Sequence, residues 1–349
     1  MVMRVAVIGA GVVGLATTAA LLDRGVQVVC FEKLAPMAER SAGESRIFRL
    51  AHRDPELVDL AGQARRIFAD WEAQAGTELI DPVGVVISGE GWDQWSAAMA
   101  AAGAEHQEVG PESDSLRLPT RKIPAVSVID PAGGVLRVAR IGALLEARCQ
   151  DALRIEHVYA LEEVPGGVVV RSSGSQDTFD AVVLCAGAWT ASLAVQVGLH
   201  PPIALAHHAR FTFEVRPQVD PRMQAWLTTS AEGLSSYQHT NAPGQWAVGV
   251  HVDPAQVTWE VGADKATALA RDITAAYVRS ALEDVHPEVI DELYCTVNPD
   301  LGDGVQFLRG GRVLTVHGEN LFKLAPLIGD RLAKAVVDGS QPAPMGSLR

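Results

Sequence analysis

The stretch whose reading decides the fold runs from Arg4 to Lys33: Arg-Val-Ala-Val-Ile-Gly-Ala-Gly-Val-Val-Gly-Leu-Ala-Thr-Thr-Ala-Ala-Leu-Leu-Asp-Arg-Gly-Val-Gln-Val-Val-Cys-Phe-Glu-Lys. Residues 5–8 form a short β-branched run suited to a strand buried on both faces. It leads straight into Gly9, Gly11 and Gly14, spaced Gly-x-Gly-x-x-Gly. Residues 16–22 read as a helix of small residues that can lie close on a sheet, ending near Gly25. Residues 26–31 read as a second buried strand, with Glu32 at its carboxyl end.

Those residue types at those spacings suit a dinucleotide. Gly9 permits the tight turn off the strand, Gly11 lets the backbone approach a pyrophosphate, and Gly14 lets the helix pack against the sheet. The helix N-terminus offers free N–H groups and a positive dipole end to the phosphates. Glu32 is positioned to accept hydrogen bonds from a ribose. Three glycines alone are a weak signal in a chain of 349 residues with 32 Gly. The preceding strand, the following helix and the terminal acid supply the context that gives the motif meaning.

Working outward, the length accommodates two cores, or one domain with a large insertion. Hydrophobic content of 48% and charged content of 20% describe an ordinary globular chain. No apolar run approaches the length of a membrane span. The first strand begins at residue 4, leaving no room ahead of it for a cleavable signal peptide, so a cytoplasmic location is expected. The net charge of −13 argues against nucleic-acid binding, which depends on Lys and Arg neutralising phosphates. Cys30, Cys149, Cys185 and Cys295 have neither CxxC spacing nor a His partner at metal spacing, so no metal site is expected and buried free thiols are. Against the acidic background, Arg40, Arg46, Arg49, Arg53, Arg65 and Arg66 cluster; they read either as a solvated face or as an anion site.

Along the chain, residues 55–75 predict a helix with Leu57, Leu60, Ala61, Ala64, Ile67, Phe68 and Trp71 on one stripe. A strand is expected at 83–88, a helix at 92–102, a turn-rich stretch at 110–134 and a second amphipathic helix at 138–153. Strands follow near 155–161, 168–171 and 181–184, the last running into Cys185-Ala-Gly-Ala-Trp189. Residues 201–258 read as β-rich, 263–282 as a long helix closed by His286-Pro287, 313–316 as a strand and 326–337 as a final helix beginning at Pro326. Nucleotide-type elements thus fall at 1–77, 137–200 and 291–340, with β-rich stretches at 78–136 and 201–290. That order predicts two interleaved domains, α/β and α+β, followed by a disordered tail at 341–349.

With these residues in hand the chain resembles the FAD-dependent amine and amino-acid oxidases of the sarcosine oxidase, N-methyltryptophan oxidase and glycine oxidase group. The likeness spans almost the whole chain. It rests on Gly43-Glu-Ser-Arg46-Ile-Phe-Arg49, similar to the family's Gly-Asp-Thr-Arg-x-x-Arg loop, and on Gly84-Val85-Val86, Asp130 to Leu136, Gly187-Ala-Trp189, Gly249-Val-His251, Thr296-Val-Asn-Pro-Asp300 and Phe322-Lys323. Their shared order carries the resemblance.

The resemblance implies a glutathione-reductase-type Rossmann-like FAD domain interleaved with a sheet-rich substrate domain. It implies that Gly9, Gly11, Gly14, Glu32 and Lys33 hold the ADP part of FAD. Residues 41–46, with Ser41, Ser45 and Arg46, would cover the pyrophosphate and the flavin ring. Val158 and Tyr159 would meet the adenine, with Gly187 nearby. Gly318, Asn320, Leu321, Phe322 and Lys323 would lie along the flavin's pyrimidine edge, and the N-terminus of the last helix would point its dipole there. By the same resemblance Arg49 and Lys323 bind the carboxylate of an amino acid or N-substituted glycine, and His251 is a catalytic candidate. The activity implied is removal of a hydride from the carbon beside the amine, giving an imine that water hydrolyses, with O2 reduced to hydrogen peroxide.

Two positions depart from the family pattern. Leu293 stands where covalent-flavin members carry a cysteine, so FAD is expected to be non-covalent. Ala247 stands where several oxidases carry a lysine that assists dioxygen, which points toward the glycine-oxidase side of the group. The alternatives are a dehydrogenase or 2-hydroxy acid oxidase of the same fold, or a flavin-binding partner subunit without turnover. His207, His208 and His317 read as structural.

Overall fold

The computed structural model describes residues 2–346 apart from 125, 218, 231–232 and 299–301. Its organising layer is a six-stranded sheet ordered Val305–Gly310, Val313–Gly318, Ala181–Leu184, Arg4–Ile8, Gln27–Glu32, Leu153–Ile155. All neighbours pair parallel except the first two, which form an antiparallel hairpin. The strands are short and β-branched because helices and a second small sheet cover both faces, leaving no polar side to alternate with. Helices Val12–Leu22, Val138–Cys149 and Leu321–Asp338 bury their apolar stripes on one face with Val5, Val7, Val183 and Leu314. On the other, a three-stranded meander, Val158–Val164, Gly167–Ser172 and Gln176–Phe179, packs against Ala6, Ile8, Phe31 and Val182.

A second large sheet has eight strands, ordered Val285–Val297, Ala206–Val215, Gln245–Val250, Ser235–Thr240, Ala225–Thr229, Val85–Gly89, Ser127–Asp130, Gln107–Val109. Helix Ala263–Ala281 covers one face, over Phe211, Phe213, Trp246 and Val248. A three-stranded sheet of Ser45–Phe48, Gly134–Arg137 and Ile80–Asp81 stands beside it. The strands of the first sheet come from 1–77, 137–200 and 291–340. Those of the second come from 78–136 and 201–290, except that Val285–Val297 crosses residue 290.

Helix Pro55–Ala75 has the predicted bounds, with Asp54 accepting from Glu56 N at 2.9 Å at its start and Gly76 left-handed at its end. Three expectations are corrected. The last helix begins at Leu321, not Pro326, and Pro326 lies inside it. Proline commonly marks a first turn; here Leu324, Ala325, Leu327 and Ile328 all bury in the main core, and that packing carries the helix through it. Pro287 does not close the long helix, which ends at Ala281, but lies in the 13-residue strand Val285–Val297. That strand is at the sheet edge, where a missing N–H is tolerated. The tail expected to be disordered is docked over 341–346: Met345 is fully buried and exchanges two 2.9 Å backbone hydrogen bonds with Val305. Residues 347–349 lie outside the described residues. Among the described residues no helix is long and apolar enough to cross a membrane.

Candidate active site

A cleft of about 1800 Å³ runs from the first turn of the six-stranded sheet to the inner face of the eight-stranded one. Ligand pockets of drug-sized molecules are commonly 300–1,000 Å³, so this one suits a larger guest together with a small one. At the first end, Gly9 leaves the strand with φ +101°, and a Cβ there would lie 2.5 Å from Cys185 O. A Cβ on Gly14 would lie 1.8 Å from Gly9 O, so the turn and helix close only on glycine. Gly11 lines the cleft, where a Cβ would meet Ser41 Oγ at 3.0 Å; that hydroxyl accepts from Val12 N at 3.0 Å. Glu32 takes Ala10 N at 2.9 Å on one carboxylate oxygen and Leu34 N at 3.1 Å on the other. Two backbone donors leave acceptor capacity on both oxygens. Lys33 pairs with Glu39 at 2.8 Å and stands over the Trp189 ring at 4.5 Å, with Tyr159, Val158 and Gly187 also on the wall.

The loop at 40–46 is pinned by one side chain. Arg46 donates to Ser45 O at 2.8 Å, to Arg40 O at 3.2 Å and to Ala42 O, and lies against the Phe322 ring. Burial, with Arg210 nearby, pushes its pKa down to about 10, so it stays charged at neutral pH. Ser45 does not reach the cleft wall; its hydroxyl donates to Asn241 Oδ1 at 2.9 Å and meets His239 Nε2 at 3.0 Å. Arg210 joins this knot, 2.9 Å from Ser45 O and 3.0 Å from His239 Nε2, and its Nε has no partner among the described residues. Burial pushes the His239 pKa well below the usual value, with Arg210 adding to it, so the ring is neutral and accepts from the guanidinium.

At the far end five side chains meet. Arg49 is buried, donating to Ala51 O and to Asp303 Oδ2 at 3.3 Å, with its guanidinium 4.9 Å from the Trp95 ring centre. His52 Nδ1 is 3.0 Å from the same Asp303 oxygen, and Asn320 Nδ2 donates to Oδ1. Lys323, in the first turn of the last helix, points its Nζ into the same region, 3% exposed and without a hydrogen-bond partner among the described residues. Burial, and then Arg49, lower its pKa well below the ordinary lysine value. The segment carrying Arg49 is fixed from below by Asp130, which accepts Leu50 N at 2.6 Å and Ala51 N at 3.0 Å.

The eight-stranded sheet supplies the opposite wall. Tyr237 OH meets His208 Nε2 at 2.7 Å, and the Tyr237 ring fits only because position 249 is Gly: a Cβ there would be 2.2 Å from the ring. His251 lines the cleft edge-on to Tyr237, ring centroids 6.3 Å apart, and no hydrogen bond ties its imidazole to another described side chain. His207 bonds Tyr294 OH at 2.8 Å, whereas the buried His317 Nδ1 has no partner among the described residues. Leu293 packs over Gly43, 2.8 Å from where a Cβ would be. Cys295 lines the cleft as a free thiol that burial pushes up in pKa.

Of the predicted site residues, the structure brings to the cleft Gly9, Gly11, Glu32, Lys33, Ser41, Arg46, Arg49, Val158, Tyr159, Gly187, His251, Gly318, Asn320, Leu321, Phe322 and Lys323. Gly14 packs behind it and Ser45 beside it. The six arginines divide: Arg40, Arg46, Arg49 and Arg53 line the cleft, while on helix Pro55–Ala75 Arg65 pairs with Glu72 at 3.0 Å and Arg66 is exposed. Sequence reasoning missed His52, Asp303, Arg210, Tyr237 and His239. Asp303 sits in Gly302-Asp-Gly304, which reads as an ordinary turn. His52 lies in the loop before helix Pro55–Ala75, with no pattern around it. Arg210, Tyr237 and His239 alternate along strands, at 208 and 210 and at 237 and 239, and that spacing marks a polar sheet face. Among the described residues no three His, Cys, Asp or Glu side chains are grouped to hold a metal ion.

FAD fits this donor set. The Gly11 cradle admits a backbone approach, Glu32 keeps acceptors free for a ribose, and the helix starting at Leu321 opens on the cleft. Comparison with known proteins agrees. The chain is 27% identical to the peroxisomal sarcosine oxidase of Homo sapiens, covering 93% of this chain and 89% of that one. It is 24% identical to the monomeric sarcosine oxidase of Streptomyces avermitilis, over 98% and 95% of the two chains. It shares the fold of NikD, described as an unusual amino acid oxidase essential for nikkomycin biosynthesis, at a TM-score of 0.83 and 22% identity over 99% of each chain. The glycine oxidase of Geobacillus kaustophilus superposes at 0.73 with 19% identity, over 98% of this chain and 96% of that one. The model of the FAD-dependent oxidoreductase family matches residues 4–335, and this chain belongs to that family.

Proposed function

We propose that the protein oxidises the carbon–nitrogen bond of an amino acid or N-substituted glycine, giving an imine that water hydrolyses, with O2 as acceptor and hydrogen peroxide as second product. The observation that carries this is Lys323 Nζ, buried on the cleft wall beside Arg49 without a hydrogen-bond partner among the described residues. A buried ammonium left unpaired costs several kcal/mol, so a chain that keeps it there is built for an anionic guest. The names of the relatives, two sarcosine oxidases, point to the same substrate class. We take residues 1–77, 137–200 and 291–340 as the flavin-holding part and 78–136 and 201–290 as the substrate part, a division that the sheet membership supports.

FAD supplies the two-electron oxidation when bound. Gly9, Gly11, Ser41 and Glu32 would hold its ADP half, Arg46 would keep the covering loop in shape, and Asn320 to Lys323 would line the ring's edge. Attachment is non-covalent in this reading: Leu293 can form no thioether, and burial keeps the Cys295 thiol protonated. Lys323 begins as a disfavoured cation, so an arriving carboxylate is what makes its protonated form favourable, and binding couples to proton uptake at Nζ. Arg49, fixed nearby, disfavours a second cation and so helps a substrate amine stay unprotonated.

One observation favours a second reading, a dehydrogenase with another acceptor. Ala247 is fully buried and carries no charge. It pairs with Thr212 on one side and His239 on the other, and the buried Arg210 contacts that same His239. In the oxidase reading Arg210 is the fixed cation that favours reduction of dioxygen. Anaerobic titration of the yellow holoprotein with paired substrates, each amino acid beside the amine lacking its carboxylate, tests both. Bleaching by the acids, followed by recolouring in air with peroxide and a carbonyl compound, is expected. Bleaching only by the amines removes the amino-acid reading; bleaching that air does not reverse selects the dehydrogenase.

A further inference from the structure

We propose that Asp303 is a specificity-determining residue: it competes with the substrate's carboxylate for Arg49, so that the site takes one carboxylate, holds it loosely, and discriminates against a second. This rests on the amino-acid reading above and adds to it the charge of the acceptable substrate.

The geometry carries the argument. Taken alone, Arg49 and Lys323 are two cations awaiting one external anion. One of them already has an internal anion, since Asp303 Oδ2 is 3.3 Å from Arg49 Nη2. The carboxylate is held from three directions, with His52 Nδ1 at 3.0 Å on the same oxygen and Asn320 Nδ2 on the other. His52 is fully buried and Asn320 opens the last helix, so neither partner is a loose surface group. Arg49 has Trp95 against one face and gives another N–H to Ala51 O. Little of its fork remains for a bidentate grip on a substrate. Lys323 Nζ is left without a hydrogen-bond partner among the described residues.

Asp303 is ionised under working conditions. Burial alone would raise its carboxyl, but Arg49, His52 and Lys323 outweigh it and hold it far below the ordinary carboxylate range. With Lys323 protonated, Arg49, Lys323 and Asp303 sum to one positive charge. A monocarboxylate neutralises it; the second carboxylate of a diacid, if it reached this cluster, would meet Asp303 as a like charge. A residue that only oriented Arg49 would do the reverse, because removing it would free Arg49 to drift and weaken every carboxylate.

The test uses the intact holoprotein and two probes that cannot be oxidised at an amine, propionate and succinate. Binding is followed by perturbation of the flavin absorbance and by calorimetry in wild type, Asp303→Asn, Asp303→Glu and Lys323→Met. Asn is close in size to Asp and keeps its hydrogen-bonding reach, and the flavin-to-protein ratio with the melting temperature checks that each variant folds. Asp303→Asn is expected to bind propionate about tenfold tighter and to gain more for succinate, as loss of a like charge at short range requires. Asp303→Glu should stay near wild type in its preference for propionate. Unchanged or weaker propionate binding in Asp303→Asn, with Lys323→Met abolishing it, overturns the role of Asp303 and leaves the amino-acid reading standing. If neither carboxylate binds wild type or Asp303→Asn, both fail together.

Discussion

At the Gly9–Glu32 end of the cleft the groups offered to a ligand are backbone N–H groups, the empty space of a glycine and one carboxylate, all within one strand–helix–strand unit. At the Arg49–Lys323 end they are charged side chains, and the Arg49–Asp303 pair joins residues 254 positions apart. The first end is tight and electrically settled: each Glu32 oxygen has a backbone donor. The second is crowded with charge and incompletely paired. The first is held by local backbone geometry and fails by steric intrusion, whereas the second is held by the fold and fails by loss of function.

Gly14→Val should break the first end most severely. Its side chain would begin 1.8 Å from Gly9 O, and backbone on both sides cannot give way, so a destabilisation beyond about 3 kcal/mol and loss of flavin are expected. Soluble yield, melting temperature and flavin-to-protein ratio measure it. Gly11→Ala is the sharpening control, because its Cβ meets only the Ser41 hydroxyl; it should fold and still release FAD. Wild-type behaviour of both variants would show that the close approach carries nothing.

Lys323→Met should do the opposite, leaving the melting temperature unchanged or higher, since it removes a buried group with no hydrogen-bond partner among the described residues. On an amino-acid substrate kcat/KM should fall by roughly 30- to several-thousand-fold, corresponding to about 2–5 kcal/mol, while the matching amine without a carboxylate is far less affected. Equal losses on both substrates would detach Lys323 from the carboxylate.

Acid should weaken the fold through three neutral histidines, His52 at the charged end and His208 and His239 on the eight-stranded sheet. Burial, with Arg49 near His52, with His251 near His208 and with Arg210 near His239, lowers all three, His208 to about 4. The unfolded chain therefore takes up protons that the folded one refuses once pH falls below about 6.5. Their neutral form is compatible with the fold above that pH, and stability is lost as pH falls, by up to about 1.4 kcal/mol per unit for each histidine. Chemical denaturation at a series of pH values from 7 to 5 reads the slope; a flat profile would mean that the three rings gain protons in place.

The smallest effect is expected at Glu32→Gln. One carboxamide oxygen can still accept from Ala10 N or from Leu34 N, not from both, so about 1 kcal/mol of FAD affinity is lost, roughly five- to tenfold in Kd. Fluorescence titration of the apoprotein with FAD checks it, and an unchanged Kd would make the acid a strand-end residue only.

Much of this was legible in the chain. The glycine turn, the buried parallel strands and helix Pro55–Ala75 are written in short-range pattern, because glycine spacing, β-branching and an Asp-Pro start act within a few residues. The family resemblance also carried Arg46, Arg49 and Lys323 to the cleft. What misled was local punctuation: Pro326 and Pro287 look like boundaries, and only packing on the main core and an edge position in the eight-stranded sheet keep helix and strand running through them.

The sequence by itself therefore determined the glycine-turn end, since a backbone conformation and the space for a Cβ are properties of neighbouring residues. It determined that arginines and a late lysine were present, without their pairing. Only the tertiary structure decided that Asp303 answers Arg49, that His52 and Asn320 hold Asp303, and that Lys323 is left over. Which charges meet depends on strands and a helix brought together from the two ends of the chain, and Coulomb energy depends on that distance and that burial rather than on order along the chain.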